Sequence, residues 1–245
     1  MDVKFLTGEP ALTVGGALVV ADLHLGIELE FRKAGMRMPS QTHVLRKRLE
    51  TLLEKSKTKE LVVCGDLKHK VPGTTFQEEK EIPEFLSRFD KVLIARGNHD
   101  ADLKPLLPPE ATMHPSGGFL QGKTFFVHGH AWPSPAFLEA DTMVAGHVQP
   151  QIEITDQLGY TWREQVWVRA SLDREMVEER YGKNKQYGRS KGLPKLIILP
   201  SFNPLAGGLA LNKKARNSPL LKIANLKKAK LYLLDGTFLG ELGKM

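Results

Sequence analysis

The chain has 245 residues, and its composition of 41% hydrophobic and 26% charged residues is that of a globular protein. Its net charge is +7, and no apolar run approaches the roughly 20 residues that cross a bilayer. The first residues lack the basic and apolar regions of a secretory signal, so we expect a cytoplasmic protein with no membrane partner. Cys64, the single cysteine, stands within an apolar run and is predicted to be a buried structural thiol.

Short apolar runs bounded by glycine follow one another through the first 150 residues and predict buried strands. They occupy residues 16–22, 60–66, 91–98, 123–130 and 141–147. Between the first two runs, leucines at helical spacing predict a helix that Ser40 or Thr42 caps. Residues 78–89 predict a second helix, with Pro83 in its first turn. This alternation of strands and helices indicates a layered α/β fold.

Further strands are predicted in the more polar part of the chain that follows. They lie at residues 164–171, 195–202 and 229–236, and the last ends in an Asp-Gly turn. Residues 171–192 are polar and lack a steady apolar stripe, which predicts an exposed insertion or loop. No linker divides the chain, so we expect a single domain over residues 1–245.

Polar side chains of the kinds that bind metals follow all five of the N-terminal strands. They are Asp22 and His24, Asp66 and His69, Asn98, His99 and Asp100, His128 and His130, and His147 and Gln149. Ligand sites in open α/β sheets form beyond the carboxyl ends of the strands, so these five ends are expected to converge. One such histidine would be ordinary structure, but five successive clusters indicate a site. Carboxylate, imidazole and amide donors without cysteine suit Mn²⁺, Fe²⁺ or Zn²⁺, and their number suits a pair of ions.

In this order the motifs resemble the calcineurin-like metallophosphoesterase superfamily. The resemblance covers about residues 15–150 and rests on Asp22-x-His24, Gly65-Asp66, Gly97-Asn98-His99-Asp100, His128 and Gly146-His147. The GDLKH stretch is similar to the branch that contains the nuclease subunits Mre11 and SbcD, and LPSFNPLAGG is similar to small prokaryotic phosphoesterases related to SbcD. The resemblance implies a layered αββα sandwich of two mixed sheets flanked by helices, with residues 163–245 completing the second sheet.

The resemblance also implies a role for each candidate residue. The metal ligands would be Asp22, His24 and Asp66 for one ion, and Asp66, Asn98, His128 and His147 for the other. His99 would be the general acid, with Asp100 orienting its ring, and His69 would contact substrate or serve as an acid of its own. Gln149 stands where the family has a further histidine ligand to the first ion. It would bind that ion through a weaker amide oxygen, unless His130 takes its place.

Two divalent ions, Mn²⁺ foremost with Mg²⁺, Fe²⁺ or Zn²⁺ as alternatives, would activate a water to hydrolyse a phosphoester. Three functions stay open: a phosphodiesterase or nuclease acting on DNA or RNA, a phosphoesterase for small molecules, and a metal-poor binding subunit. Residues 163–245 carry 17 Lys and Arg against 7 Asp and Glu, a net charge of +10 that suggests a polyanionic partner such as DNA or RNA, with an ordinary solvated surface as the equal alternative. The candidate contacts are Lys213, Lys214, Arg216, Lys227 and Lys228.

Overall fold

Two mixed β-sheets pack face to face, and helices cover the outer face of each sheet. This arrangement is the αββα sandwich that the family resemblance implies, and that expectation is confirmed. The computed structural model describes residues 3–182, 192–213 and 218–245, so the predicted contacts Lys214 and Arg216 lie outside the described residues. No helix in the described ranges combines the length and hydrophobicity of a transmembrane span.

The first sheet contains six strands that follow one another in chain order. They are β1 (Lys4–Phe5), β2 (Leu12–Val14), β3 (Ala17–Val20), β4 (Glu60–Val63), β5 (Lys91–Ala95) and β6 (Ala111–His114). The first three strands pair antiparallel, and β3 to β6 pair parallel. The carboxyl ends of β3, β4 and β5 therefore meet at one edge of the sheet.

Three helices belong to this half of the chain: α1 (Glu28–Lys33), α2 (Thr42–Ser56) and α3 (Phe76–Leu86). Helices α2 and α3 bury leucine and phenylalanine side chains against the outer face of the first sheet. The predicted first residues of both helices were wrong. Gln41 is the N-cap of α2, in place of Ser40 or Thr42. Helix α3 begins earlier than expected because Thr75 forms a capping box, so Pro83 lies inside the helix and not in its first turn.

Within the described residues the second sheet contains nine strands, five of them from the C-terminal part of the chain. They are β7 (Phe119–Gln121), β8 (Thr124–Val127), β9 (Thr142–Ala145), β10 (Pro150–Thr155), β11 (Thr161–Ser171), β12 (Lys195–Ile198), β13 (Leu209–Ala210), β14 (Lys230–Leu233) and β15 (Phe238–Glu241). The order is β13-β10-β11-β12-β9-β8-β7, and β14 joins β11 to β15. Strands β8, β9 and β12 are parallel, so β8 and β9 also end at a common edge.

Helices α4 (Arg174–Tyr181) and α5 (Pro219–Lys222) lie on the outer side of the second sheet. Helix α4 occupies part of the segment that was predicted to be an exposed insertion or loop, and the loop alternative was wrong for these residues. Asp173 caps the helix by accepting two backbone N–H groups, and Val177 alone among its side chains is fully buried. One inward apolar residue in two turns is too weak a pattern to predict a helix. Residues 183–191 of the segment lie outside the described residues.

The layer between the sheets is filled by side chains from alternate positions of the central strands. Val19, Val62, Val144 and Ile197 are among them. Cys64 is fully buried in the same layer, and burial raises the pKa of its thiol. The thiol is therefore buried, as the sequence predicts.

Candidate metal centre

The five strand ends that the sequence singles out meet at one edge of the sandwich. They follow β3, β4 and β5, which are parallel in the first sheet, and β8 and β9, which are parallel in the second. Backbone hydrogen bonds continue beyond the strands and join the segments that follow β3 and β4. The N–H of Asp22 donates to the carbonyl of Gly65 at 3.0 Å, and the N–H of His24 donates to that of Asp66 at 2.9 Å.

Strained backbone is concentrated at this edge. Among the described residues, six that are not glycine have φ in the left-handed region, and five of them lie here. They are Asp22, His24, Asp66, His147 and Gln149, with φ between 43° and 67°. Such a conformation costs about 1–3 kcal/mol for a residue with a side chain. The chain gives up that stability, and the strained turns direct the five side chains into one place.

The Asp66 carboxylate lies at the centre of the cluster. Its Oδ2 is 3.6 Å from Nε2 of His24 and 3.2 Å from Nε2 of His128, and the residue is buried. Ligand atoms within 4.8 Å of one another form two sets that share this residue. The sets are Asp22, His24 and Asp66, and Asp66, His128 and His147. Although burial opposes its charge, the neighbouring histidines hold the pKa of Asp66 below its ordinary value.

His128 presents one defined nitrogen to the site. Its Nδ1 lies 2.8 Å from the carbonyl of Cys64 and must donate there, because a carbonyl only accepts. The other nitrogen, Nε2, therefore faces Asp66 and lies 3.2 Å from Oδ1 of Asn98. Burial opposes a charge on this ring, but the Asp66 carboxylate more than offsets it and raises the pKa of His128 to about 9. The ring of His147 completes this side, 4.9 Å from that of His128 between centroids.

Gln149 completes the opposite side of the cluster. Its Nε2 lies 3.1 Å from Oδ1 of Asp22 and 3.0 Å from Nε2 of His24. Half a turn of the amide group puts its oxygen in the same position. The ring of His130 lies 5.2 Å from that of His128, on the far side of the cluster. Gln149, and not His130, is therefore the residue beside Asp22 and His24.

The donor set fits divalent metal ions. Burial raises the pKa of Asp22 to about 7 and lowers that of His24 to about 3, so both groups are driven towards their uncharged forms. Burial and the nearby His128 lower the pKa of His130 to about 4, and its buried Nδ1 has no partner among the described residues. The cluster gathers carboxylate and amide oxygens and imidazole nitrogens in one buried place, and these donors suit borderline divalent ions.

His99 and His69 lie against the same cluster. Nδ1 of His99 donates to the backbone carbonyl of His69, so its Nε2 is the nitrogen left to exchange a proton. Nδ1 of His69 lies 3.3 Å from Nδ1 of His24, and burial lowers the pKa of the His69 ring. Ligand atoms of these three histidines form a further group within 4.8 Å. The structure thus brings both predicted catalytic histidines to the cluster.

Asp100 does not orient the His99 ring, and that hypothesis was wrong. The carbonyl of His69 occupies the position beside Nδ1 of His99. The fully buried Asp100 carboxylate accepts backbone N–H groups instead, at 2.9 Å from Asp66, 2.9 Å from Leu67 and 2.8 Å from Gly97. Burial raises its pKa. Asp100 therefore ties together the loops that follow β4 and β5.

Two buried charged residues that the sequence did not single out hold the loop that carries His69. Lys68 is fully buried, and its Nζ donates to the carbonyl of Gly73 at 2.9 Å. Glu78 accepts the backbone N–H groups of His69 at 3.0 Å and of Thr75 at 2.7 Å. The Thr-x-x-Glu spacing of a capping box was the available signal for Glu78. Nothing in the sequence marks Lys68 as buried.

The segment after β12 supports the loop that follows β3. The hydroxyl of Ser201 donates to the carbonyl of Asp22 at 2.9 Å, and the amide of Asn203 donates to the carbonyl of Leu23 at 2.8 Å. Both supporting residues are buried. The LPSFNPLAGG stretch thus fixes the turn that presents Asp22.

Comparisons with known proteins place this geometry in context. A family model described as calcineurin-like phosphoesterase matches residues 17–192. None of the curated proteins matches the sequence. The crystal structure of Pseudomonas putida nuclease MPE has the same fold, with a TM-score of 0.59 and 19% identity over 97% of this chain and 100% of that chain. YfcE, a phosphoesterase from E. coli, has a TM-score of 0.40 and 16% identity over 92% of this chain and 97% of its own.

Proposed function

The chain belongs to the calcineurin-like phosphoesterase family of metal-dependent hydrolases, and we propose that it hydrolyses phosphodiester bonds of nucleic acids or nucleotides with water activated between two divalent ions. The observation that carries this proposal is the position of Asp66. Its carboxylate belongs to two sets of ligand atoms, and its Oδ2 lies within 3.6 Å of an imidazole nitrogen from each set. A carboxylate placed in this way suits a bridge between two ions.

We assign four protein ligands to each ion. Asp22, His24, Asp66 and Gln149 would hold one ion, at what we call the first position, and Asp66, Asn98, His128 and His147 would hold the other. When bound, the two ions lower the pKa of a shared water and neutralise charge on the phosphoryl oxygens. The first position has oxygen donors from Asp22, Asp66 and Gln149, which are chemically harder ligands than imidazoles. Such a ligand set favours Mn²⁺ or Mg²⁺ over Zn²⁺.

His99 is assigned as the general acid. The water gives one proton to solvent, and its oxygen forms a bond to phosphorus while the bond from phosphorus to the leaving oxygen breaks. Nε2 of His99 gives its proton to that leaving oxygen, because Nδ1 stays bonded to the His69 carbonyl. A proton transfer of this kind contributes about 10²–10⁴-fold to the rate. His69, whose ring lies against that of His99, is assigned to contact with the substrate.

Nucleic acids or nucleotides are chosen as the substrate class because of charge. Residues 163–245 carry a net charge of +10, from 17 Lys and Arg against 7 Asp and Glu. A basic half of this kind raises the local concentration of polyanions and speeds their association. A small diester carries a single negative charge and gains much less from it than a polyanion does. Comparing an oligonucleotide with such a diester therefore tests this part of the proposal.

The test starts from protein stripped of metal with a chelator. Adding Mn²⁺ should bind two ions per chain and restore hydrolysis of bis-p-nitrophenyl phosphate and of a single-stranded oligonucleotide. Asp22→Asn should lose the ion at the first position, while the matched Asp90→Asn should keep both, because Asp90 is an exposed residue in a 4.0 Å ion pair with Lys59. A chain that binds no metal and hydrolyses neither substrate would instead be a metal-poor binding subunit.

A further inference from the structure

A groove lined with cations lies at the end of the sandwich opposite the metal-binding side chains. It has a volume of about 640 Å³, and we call it the basal groove. The lining residues that matter here are Phe5, Arg169, Lys195, Lys228, Lys230 and Tyr232. Strand β12 begins in the groove at Lys195 and runs towards Ser201, which contacts the Asp22 loop. Six residues of extended chain cover about 20 Å, so the groove and the metal centre are separate sites.

Three adjacent strands place a cation on the same face of the second sheet. Arg169 on β11 is registered directly opposite Lys230 on β14 and opposite Ile197 on β12. Lys195 precedes Ile197 by two residues, so its side chain points to the same face. Like charges directly opposite each other destabilise a sheet. The pairing of Arg169 with Lys230 therefore works against stability and produces a concentrated positive field.

This charge is not neutralised within the described part of the chain. There, no carboxylate lies within 4.0 Å of the cationic nitrogens of Arg169, Lys195, Lys228 or Lys230. Glu241, which is registered opposite Lys230 on β15, binds Lys244 at 2.9 Å instead. All four cations are exposed. The groove is therefore open to an external polyanion.

Aromatic rings stand beside the cations. The Arg169 guanidinium lies 5.7 Å from the ring centroid of Phe5 and 5.7 Å from that of Tyr232. The groove continues into a recess of about 230 Å³ that these three residues share with Trp167. A basic groove with aromatic faces is the combination that binds single-stranded nucleic acid, because phosphates meet the cations and bases stack on the rings. An acidic peptide would use the cations alone.

We propose that the basal groove is a second binding site that takes single-stranded nucleic acid. Phosphates contact the four cations, and bases pack against Phe5 and Tyr232. This binding site is additional to the proposed active site. It rests on the proposed function in one respect, which is that the bound strand is also the substrate. The contact at the groove needs no metal ion, so it can be measured by itself.

The test is fluorescence anisotropy of a labelled oligothymidine strand, titrated at several salt concentrations in the presence of a chelator. Lys195→Gln/Lys230→Gln should weaken binding by about tenfold at low salt and flatten the slope of log K against log salt by about 1.4, because each phosphate contact on a single strand contributes about 0.7. The control is Lys47→Gln/Lys55→Gln, which removes two exposed cations from α2 on the outer layer. The control should bind like the unaltered chain.

Thermal unfolding of the groove variant shows whether a loss of binding is only a loss of folding. Removing Lys230 relieves its repulsion with Arg169, so the groove variant should melt no lower than the unaltered chain. Equal affinity and equal salt slope for the groove and α2 variants overturn the proposal. Binding of poly-glutamate that depends on the groove, without such dependence for oligothymidine, overturns it in favour of an acidic protein. Hydrolysis of bis-p-nitrophenyl phosphate by the unaltered chain, measured separately with Mn²⁺, reports on the proposed function alone.

Discussion

The backbone N–H of His99 donates to Oδ1 of Asp66 at 2.9 Å, while Oδ2 of the same carboxylate faces the imidazoles of both ligand sets. One bond thus joins the residue proposed to bridge the ions to the residue proposed to protonate the leaving group. The position of the acid relative to the ions is therefore set by the loops themselves. This coupling predicts that changes at the two residues have different consequences for metal content.

Asp66→Asn should release both ions, because each proposed ligand set loses its only shared carboxylate. Loss of a residue that merely supports a metal ligand already costs about 10–100-fold in affinity, so the loss here should exceed about 100-fold. Metal analysis of the purified variant gives the answer, with Asp90→Asn as the control. Retention of two tightly bound ions would rule out a bridging role for Asp66.

His99→Ala should keep both metals and lose about 10²–10⁴-fold in turnover of an ester with a poor leaving group. An activated nitrophenyl ester should lose much less, since its leaving group needs little protonation. The exposed His43 on α2 provides a matched control in His43→Ala. Equal losses on both esters would show that His99 stabilises phosphoryl charge and does not donate a proton.

Gln149→His should tighten the ion at the first position by about tenfold or more and extend its tolerance to Zn²⁺, because imidazole is the better ligand for that ion. The substituted ring lies next to Asp22 and His24, as the amide now does. His130→Ala should leave the first position unchanged, because the His130 ring lies on the side of His128. Titration of metal-free protein with Zn²⁺ and Mn²⁺ measures both. If His130→Ala empties the first position and Gln149→His has no effect there, the two assignments must be exchanged.

Asp100→Ala should destabilise the fold by about 3 kcal/mol or more, since three buried N–H groups lose their acceptor at about 1–3 kcal/mol each. Those groups belong to Asp66, Leu67 and Gly97. Chemical denaturation compares this variant with His99→Ala, which should lose far less stability. If Asp100→Ala unfolds at the same denaturant concentration as the unaltered chain, the carboxylate does not hold the two loops together.

Metal binding to stripped protein should release about one to two protons at pH 7. His128, with its pKa raised to about 9, carries a proton at pH 7, and Asp22, with its pKa raised to about 7, is about half protonated. Both must lose their protons to bind metal, whereas His24, with its pKa lowered to about 3, is already neutral. Affinity should therefore rise with pH up to about 9. Calorimetry at pH 7 in buffers of different ionisation enthalpy counts the protons, and a binding heat that is the same in every buffer would contradict this charge assignment.

Much of the fold and the candidate site could be predicted from local pattern. Each of the five predicted N-terminal runs contains a strand, because apolar residues bounded by glycine favour a buried strand. The runs missed β1, β2, β6 and β7. Parallel strands end at a common edge, so the grouping of Asp22, Asp66 and Asn98 followed from their order, as did that of His128 and His147. The two groups meet because the two sheets pack face to face. Cys64 was placed in the core on the same grounds.

Local pattern could not predict which polar groups pair. Asp100 follows His99 in the chain, yet its carboxylate binds the loop after β4, because strained turns there aim three N–H groups at it. Helix α4 was missed because a single buried side chain gives no periodic signal.

The sequence by itself determined eight of the fifteen strands in the described residues, the α/β class and the chemistry of the candidate ligands, because these depend on neighbouring residues and on the donor atoms of each side chain. Only the tertiary structure decided that Gln149 lies beside Asp22, 127 residues away, and that His130 does not. It also decided that Arg169, Lys195 and Lys230 share one face. Such contacts depend on the register of strands distant in sequence and on the left-handed turns that end them. A strand's own period of two fixes only the side to which each residue points.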